Sequence, residues 1–165
     1  MKRQLVVFKV GGEEFAVDIM ATKEVVVMRE VTPVPETDKY VEGIMNLRGS
    51  LVPVLDLRKR LRAPSAGTHK DRRIIIIHHE GKLVGLIVDG ASEVIRVSDD
   101  MIESPPDVIA ESEVGYISGI IAMKDRFITL IDLKRALTED VAQSLDQVME
   151  LLASGREASL VGCAN

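Results

Sequence analysis

The chain has 165 residues, 46% of them hydrophobic and only 3% aromatic, with no Trp. That is enough apolar material for a packed core, so wholesale disorder is excluded, and a core poor in rings must be built from Val, Ile and Leu, which favour strands. A net charge of −5, from 26 acidic against 21 basic residues, argues against a nucleic-acid binder, and a single cysteine, Cys163, excludes an internal disulfide.

Taken in chain order, the first elements are Leu5 to Val10 and Phe15 to Ile19, flanking Gly11-Gly12-Glu13. They read as a hairpin with glycine supplying the turn. A third strand, Glu24 to Met28, is followed by the extended segment Val31-Thr32-Pro33-Val34-Pro35. A second hairpin joins Ile44–Leu47 to Leu51–Leu55 through the tip Asn46-Leu47-Arg48-Gly49. Pro53 inside its second strand implies an edge or a distortion, because proline has no N–H to give the ladder. Asp56 is placed to N-cap a short helical turn.

The pattern then repeats. Arg62 to Asp71 (RAPSAGTHKD) reads as a joint. Beyond it come strands at Ile74–His78, Leu83–Val88, Glu93–Val97, Gly119–Met123 and Phe127–Ile131, then Asp132 as a second N-cap. Tyr40 to Leu61 aligns without a gap on Tyr116 to Leu137 at an offset of 76 residues, and Gly12 to Val25 aligns on Gly81 to Val94 at an offset of 69. Two blocks in the same order indicate a duplicated unit. Five strands in each suit a small antiparallel barrel, which removes exposed edges. The expected architecture is therefore mainly β. Residues 1–137 form one domain of two tandem barrels, at about 4–61 and 72–137, and 138–165 form a C-terminal helix and frayed tail. Val141, Leu145, Val148, Met149 and Leu152 give that tail its helical spacing.

Catalysis finds little support. Neighbouring His78 and His79 point to opposite faces of a strand and cannot easily share a metal ion. Cys163 sits in a polar tail without a neighbouring histidine, no phosphate-binding glycine motif occurs, and no nucleophile, base and orienting group converge. No enzyme, no metal and no cofactor is expected. The longest all-aliphatic run, Ile74–Ile77, is far below the roughly 18 residues of a spanning helix. Two features read either way. Arg48 is a solvated turn cation or a fixed cation on an apolar rim, able to pair with an acidic partner. Val31 to Pro35 is a covered connection or a small apolar docking ridge.

The segment Gly43 to Leu61, GIMNLRGSLVPVLDLRKRL, resembles the signature of the CheW family, with support from Phe15–Glu24 and Val84–Asp89. The resemblance spans roughly Gln4 to Leu137. It implies two SH3-like five-stranded barrels and a non-enzymatic cytoplasmic adaptor, monomeric when free and recruited to membrane-associated receptor arrays without inserting into the membrane. Its implied partners are the cytoplasmic tip of a methyl-accepting chemoreceptor and the regulatory domain of a CheA-type histidine kinase, with no nucleic acid. Carried over by position, Thr22, Glu24, Gly43 and Arg48 would face the receptor, and Val31, Thr32 and Val34 the kinase. Thr22 departs from the aliphatic residue usual there. A regulatory CheW-like module of another two-component pathway, or of a larger kinase or adaptor assembly, is the alternative.

Overall fold

The computed structural model describes residues 2–34, 41–61, 70–79, 81–104, 116–137 and 150. Its strands are β1 (Lys2–Val10), β2 (Glu13–Asp18), β3 (Thr22–Val27), β4 (Val41–Leu47) and β5 (Ser50–Asp56), then β6 (Arg73–His79), β7 (Lys82–Val88), β8 (Gly90–Ser98), β9 (Ile102–Glu103), β10 (Ile117–Met123) and β11 (Arg126–Ile131). Two single-turn helices, α1 (Leu57–Arg60) and α2 (Leu133–Ala136), follow β5 and β11. Their caps are the two aspartates: Asp56 Oδ1 accepts from the Arg58 amide at 3.0 Å and Asp132 Oδ1 from the Lys134 amide at 3.0 Å. The expected C-terminal helix begins beyond the continuous described segment, and Cys163 also lies outside it. No helix among the described residues is long and apolar enough to cross a membrane.

All ten expected strands form, and the short β9 is an addition the sequence reading missed. Their grouping differs from the expected one. One sheet runs β8-β1-β2-β11-β10-β9 and the other β3-β6-β7-β5-β4. The opening hairpin of each unit has therefore moved into the sheet made by the other unit's last strands. Each sheet thus draws strands from both sides of the division at 4–61 and 72–137. Nor are the sheets wholly antiparallel, since the exchange places β2 parallel to β11 and β5 parallel to β7. The crossings between sheets are short. After β2, Asp18 accepts from the Met20 amide at 2.9 Å and starts a single 3-10 turn, Ile19–Ala21, before β3. Between β7 and β8 stands only Asp89.

This exchange explains the hydrophobic pattern. On β1, Leu5 and Val7 fill one barrel interior with Ile95, Ile121 and Ile128. Val6, Phe8 and Val10 face the opposite way, into a shared core between the sheets with Phe15, Ile75, Ile77 and Val88. On β6, Ile74 and Ile76 fill the other barrel interior, with Met45, Val52 and Val54. Strands buried on both faces read as continuous apolar runs rather than alternations, and Ile74–Ile77 are all fully buried. Cutting any one of them to Ala would cost about 2–5 kcal/mol.

Pro53 sits on an interior strand rather than an edge, yet its effect is visible. The β5–β7 ladder begins at Val54, just past the proline, whereas the equally long β11–β2 ladder begins at Ile128 and includes Thr129, the repeat counterpart of Pro53. A residue without an N–H marks where the ladder begins.

Candidate functional site

The β4–β5 tip is a two-residue loop, because Leu47 and Ser50 are the last paired residues. Arg48 and Gly49 both take positive φ, 50° and 89°, the signature of a type I′ turn. Asn46 Oδ1 accepts from the Gly49 amide at 2.7 Å and fixes the loop. The turn directs the Arg48 side chain across the open seam of the barrel to Glu24 on β3, the opposite edge strand. Nη1 donates to Oε1 at 3.1 Å and Nη2 to Oε2 at 2.5 Å. Such a two-point contact fixes both planes. The guanidinium hydrogen bonds hold the Glu24 carboxyl below the usual carboxylate range and push Arg48 above its own. Arg48 remains 64% exposed and Glu24 26%. Arg48 is thus one half of an exposed clasp.

Gly43 has a structural task beside this clasp. At φ 150° a β-carbon there would lie 2.0 Å from the Thr32 carbonyl oxygen. The glycine admits Thr32 against β4, where the Thr32 amide donates to the Ile44 carbonyl at 2.8 Å and the Ile44 amide to the Thr32 carbonyl at 2.9 Å. The residues expected at two different surfaces thus touch at Gly43 and Thr32. Val31 and Val34 are half-buried, Val31 against the barrel interior and Val34 against the shared core. Much of the ridge is therefore a covered connection. Thr22 stands apart at the start of β3, its hydroxyl donating weakly to the Asp18 carbonyl at 3.4 Å.

The sequence reading missed the apolar surface of β3 itself. Thr22, Glu24 and Val26 alternate with the exposed Lys23, Val25 and Val27, of which Val25 is 38% and Val27 59% open to solvent. The unbroken run Val25-Val26-Val27 was the available signal: on an edge strand, one face of such a run meets water. Phe127, beside the β10–β11 tip, is 74% exposed and was also passed over.

The second unit carries a matching clasp two residues out of step. Lys124 holds the repeat position of Arg48, but Arg126 makes the ion pairs, to Glu93, the counterpart of Glu24, and to Glu14 at 3.3 Å. Deeper in the molecule, Arg58 binds Asp56 at two points, 2.9 and 2.8 Å, and reaches Asp89 at 3.5 Å. Asp89 in turn accepts from the Gly11 amide at 2.7 Å.

A cleft of about 860 Å³ includes Arg3, Asp18, His78, His79, Asp132 and Lys134 in its wall. Asp18 and Asp132 are occupied as helix caps. His78 is exposed and His79 half-buried. Among the described residues no group of three or more His, Cys, Asp or Glu side chains could hold a metal ion.

The family model for the CheW-like domain matches residues 4–141. The chain belongs to the CheW-like family. Among CheW relatives, the chemotaxis protein CheW of Rhizobium meliloti (strain 1021) is 37% identical over 131 residues, covering 79% of this chain and 84% of that protein. The chemotaxis protein CheW of Bacillus subtilis (strain 168) is 36% identical over 141 residues, covering 86% and 90%. The crystal structure of the scaffolding protein TtCheW from Thermoanaerobacter tengcongensis superimposes with a TM-score of 0.76 at 38% identity, over 86% of this chain and 96% of that one. The CheW fold supplies the two SH3-like β domains found here.

Proposed function

We propose that this protein is a non-enzymatic cytoplasmic adaptor, coupling the tips of membrane-associated chemoreceptors to the regulatory domain of a CheA-type histidine kinase. Its relatives are chemotaxis and scaffolding proteins. The observation that carries the reading is the two-sided chemistry of β3. One face presents Glu24, clasped by Arg48, and the other presents the open apolar strip of Val25 and Val27. An edge strand with a charged face and an apolar face can hold two unlike partners without competition, which is what an adaptor needs. The receptor would meet the charged face at Thr22, Glu24, Gly43 and Arg48. The kinase would meet the apolar face and the adjoining segment at Val31, Thr32 and Val34.

A charge-swap cycle tests this. Arg48→Glu should weaken binding of a receptor tip fragment by well over tenfold and leave affinity for the kinase regulatory domain unchanged. The double variant Glu24→Arg/Arg48→Glu rebuilds an ion pair within the chain. If Arg48 meets an acidic receptor group, the rebuilt pair will not restore receptor binding. Full restoration would mean that Arg48 serves Glu24 alone, and equal loss for both partners would mean that the faces are not separate.

A further inference from the structure

Four ladders close the two sheets, β1 on β8, β2 on β11, β3 on β6 and β5 on β7, and each joins the first repeat unit to the second. The deepest charged contacts cross the same boundary: Asp89 of the second unit binds Gly11 and Arg58 of the first. Separated from its complement, the first unit would leave the hairpin β1–β2 with strand edges bare and Val6, Phe8 and Val10 uncovered. The second would leave β6–β7 in the same condition, with Ile75 and Ile77 in water. Each unit therefore needs the other, and every contact between them is specific in register. Nothing in those contacts requires that both units come from one chain. The only covalent link between them is the joint after Leu61 and before Arg73.

We propose that a second copy of this chain can supply the complementary unit, giving a closed dimer in which two chains exchange repeat units through their joints. The symmetry is closed, since each chain gives its first unit to its partner's second unit, so the product is a dimer and not a filament. Monomer and dimer contain the same ladders. Their balance is therefore set by the effective concentration at which one unit meets the other within a chain, about millimolar when the connection is short. Dilute protein folds as monomer, and crowded protein exchanges. The dimer carries two copies of every surface on the molecule and is a bivalent form of it.

Gln4 and Arg96 are exposed, directly opposed partners on β1 and β8, one in each unit. In full-length protein carrying Gln4→Cys, Arg96→Cys and Cys163→Ser, oxidation links the two units at a geometry suited to a disulfide. The protein is unfolded and refolded at about 1 µM and at about 0.5 mM, concentrations chosen against the millimolar tether, then oxidised and run without reductant. Unit exchange gives monomer at the low concentration and, at the high one, a covalent dimer whose peptide map contains only links between positions 4 and 96. Light scattering of the unsubstituted protein refolded at the higher concentration, read without dilution, should show the same dimer. Monomer alone at both concentrations, or a dimer linked through 4–4 or 96–96, would overturn the proposal.

Discussion

Replacing Gly43 by Ala puts the close approach of Thr32 to β4 to a quantitative test. The added methyl would meet backbone on every side: the Thr32 carbonyl oxygen at 2.0 Å, its carbon at 2.6 Å and the Pro33 Cα at 2.9 Å. No side chain can rotate away, so the 31–33 segment must leave β4 or Gly43 must change conformation. Detachment breaks the two reciprocal hydrogen bonds to Ile44, about 1 kcal/mol each. Holding an alanine at φ 150° adds about 1–3 kcal/mol. The expected loss is about 3–5 kcal/mol, a fall in melting temperature of roughly 10 °C for a domain of this size. Gly119 is the internal control, standing at the same place in the second unit without a positive φ. Its added methyl would meet the Ile102 Cγ2 at 2.5 Å, the movable end of a side chain, and the Glu103 carbonyl at 3.2 Å. Gly119→Ala should cost about 1–3 kcal/mol, as overpacking does. Urea denaturation of both variants measures the difference, and amide exchange at Thr32 and Ile44 reports whether the bridge has opened. A Gly43→Ala variant no less stable than Gly119→Ala, with those amides still protected, would refute the reasoning.

Arg58→Ala leaves Asp56 and Asp89, both nearly fully buried, without their cation. Because Arg58 is itself partly solvated, the expected loss is about 2–4 kcal/mol by chemical denaturation, toward the low end for a broken buried pair; a loss under about 0.5 kcal/mol, the usual surface value, would show the network to be dispensable. Val27→Asp should leave the unfolding free energy within about 0.5 kcal/mol of the parent, since the side chain is already mostly in water. It should still weaken kinase-domain binding by at least tenfold, and unchanged affinity would remove Val27 from that surface. The Glu24 pair sets a pH dependence with a definite sign. Its carboxyl is held below the ordinary 4.5, mainly by hydrogen bonding to Arg48. The stabilisation is therefore present above that pH and lost as pH falls through the lowered value. Glu24→Gln should flatten this part of the acid limb of a stability–pH profile, and an identical limb would show that the pair is not formed in solution.

Strand positions, turn residues and the two aspartate caps were legible because each depends on local chemistry: glycine at positive φ, alternation, a carboxylate ahead of a helical turn. The exchange of hairpins between sheets was not legible, and the duplication is the reason. β1 and β6 occupy equivalent places in the repeat, so β3 finds nearly the same neighbour whichever of them it pairs with. Phe8 needs cover on the outer face of its sheet under either arrangement. Local pattern therefore carries no vote, and only the pairing itself decides. The clasp was half legible. Arg48 and Glu24 were both singled out, but they lie on strands far apart in sequence, and nothing local announced that each is the other's partner. In the second unit the repeat pointed to Lys124, whereas Arg126 makes the contact. The exposed Val27 and Phe127 were hidden for another reason: an apolar residue on a strand is assigned to the core unless the strand is known to lie at an edge or a tip.

The backbone of the β4–β5 tip also sets terms for what residue 48 can be. A φ of 50° is a region in which asparagine and glycine are at ease and a long side chain is not. Relaxing this turn by substitution therefore removes its charge, and keeping the charge keeps the strain. Selection for stability alone would drift this position toward Asn or Gly, giving a tighter hairpin that has lost its hold on Glu24. Among laboratory variants chosen only for heat resistance, position 48 is accordingly where a gain in robustness and a loss of signalling should arrive together.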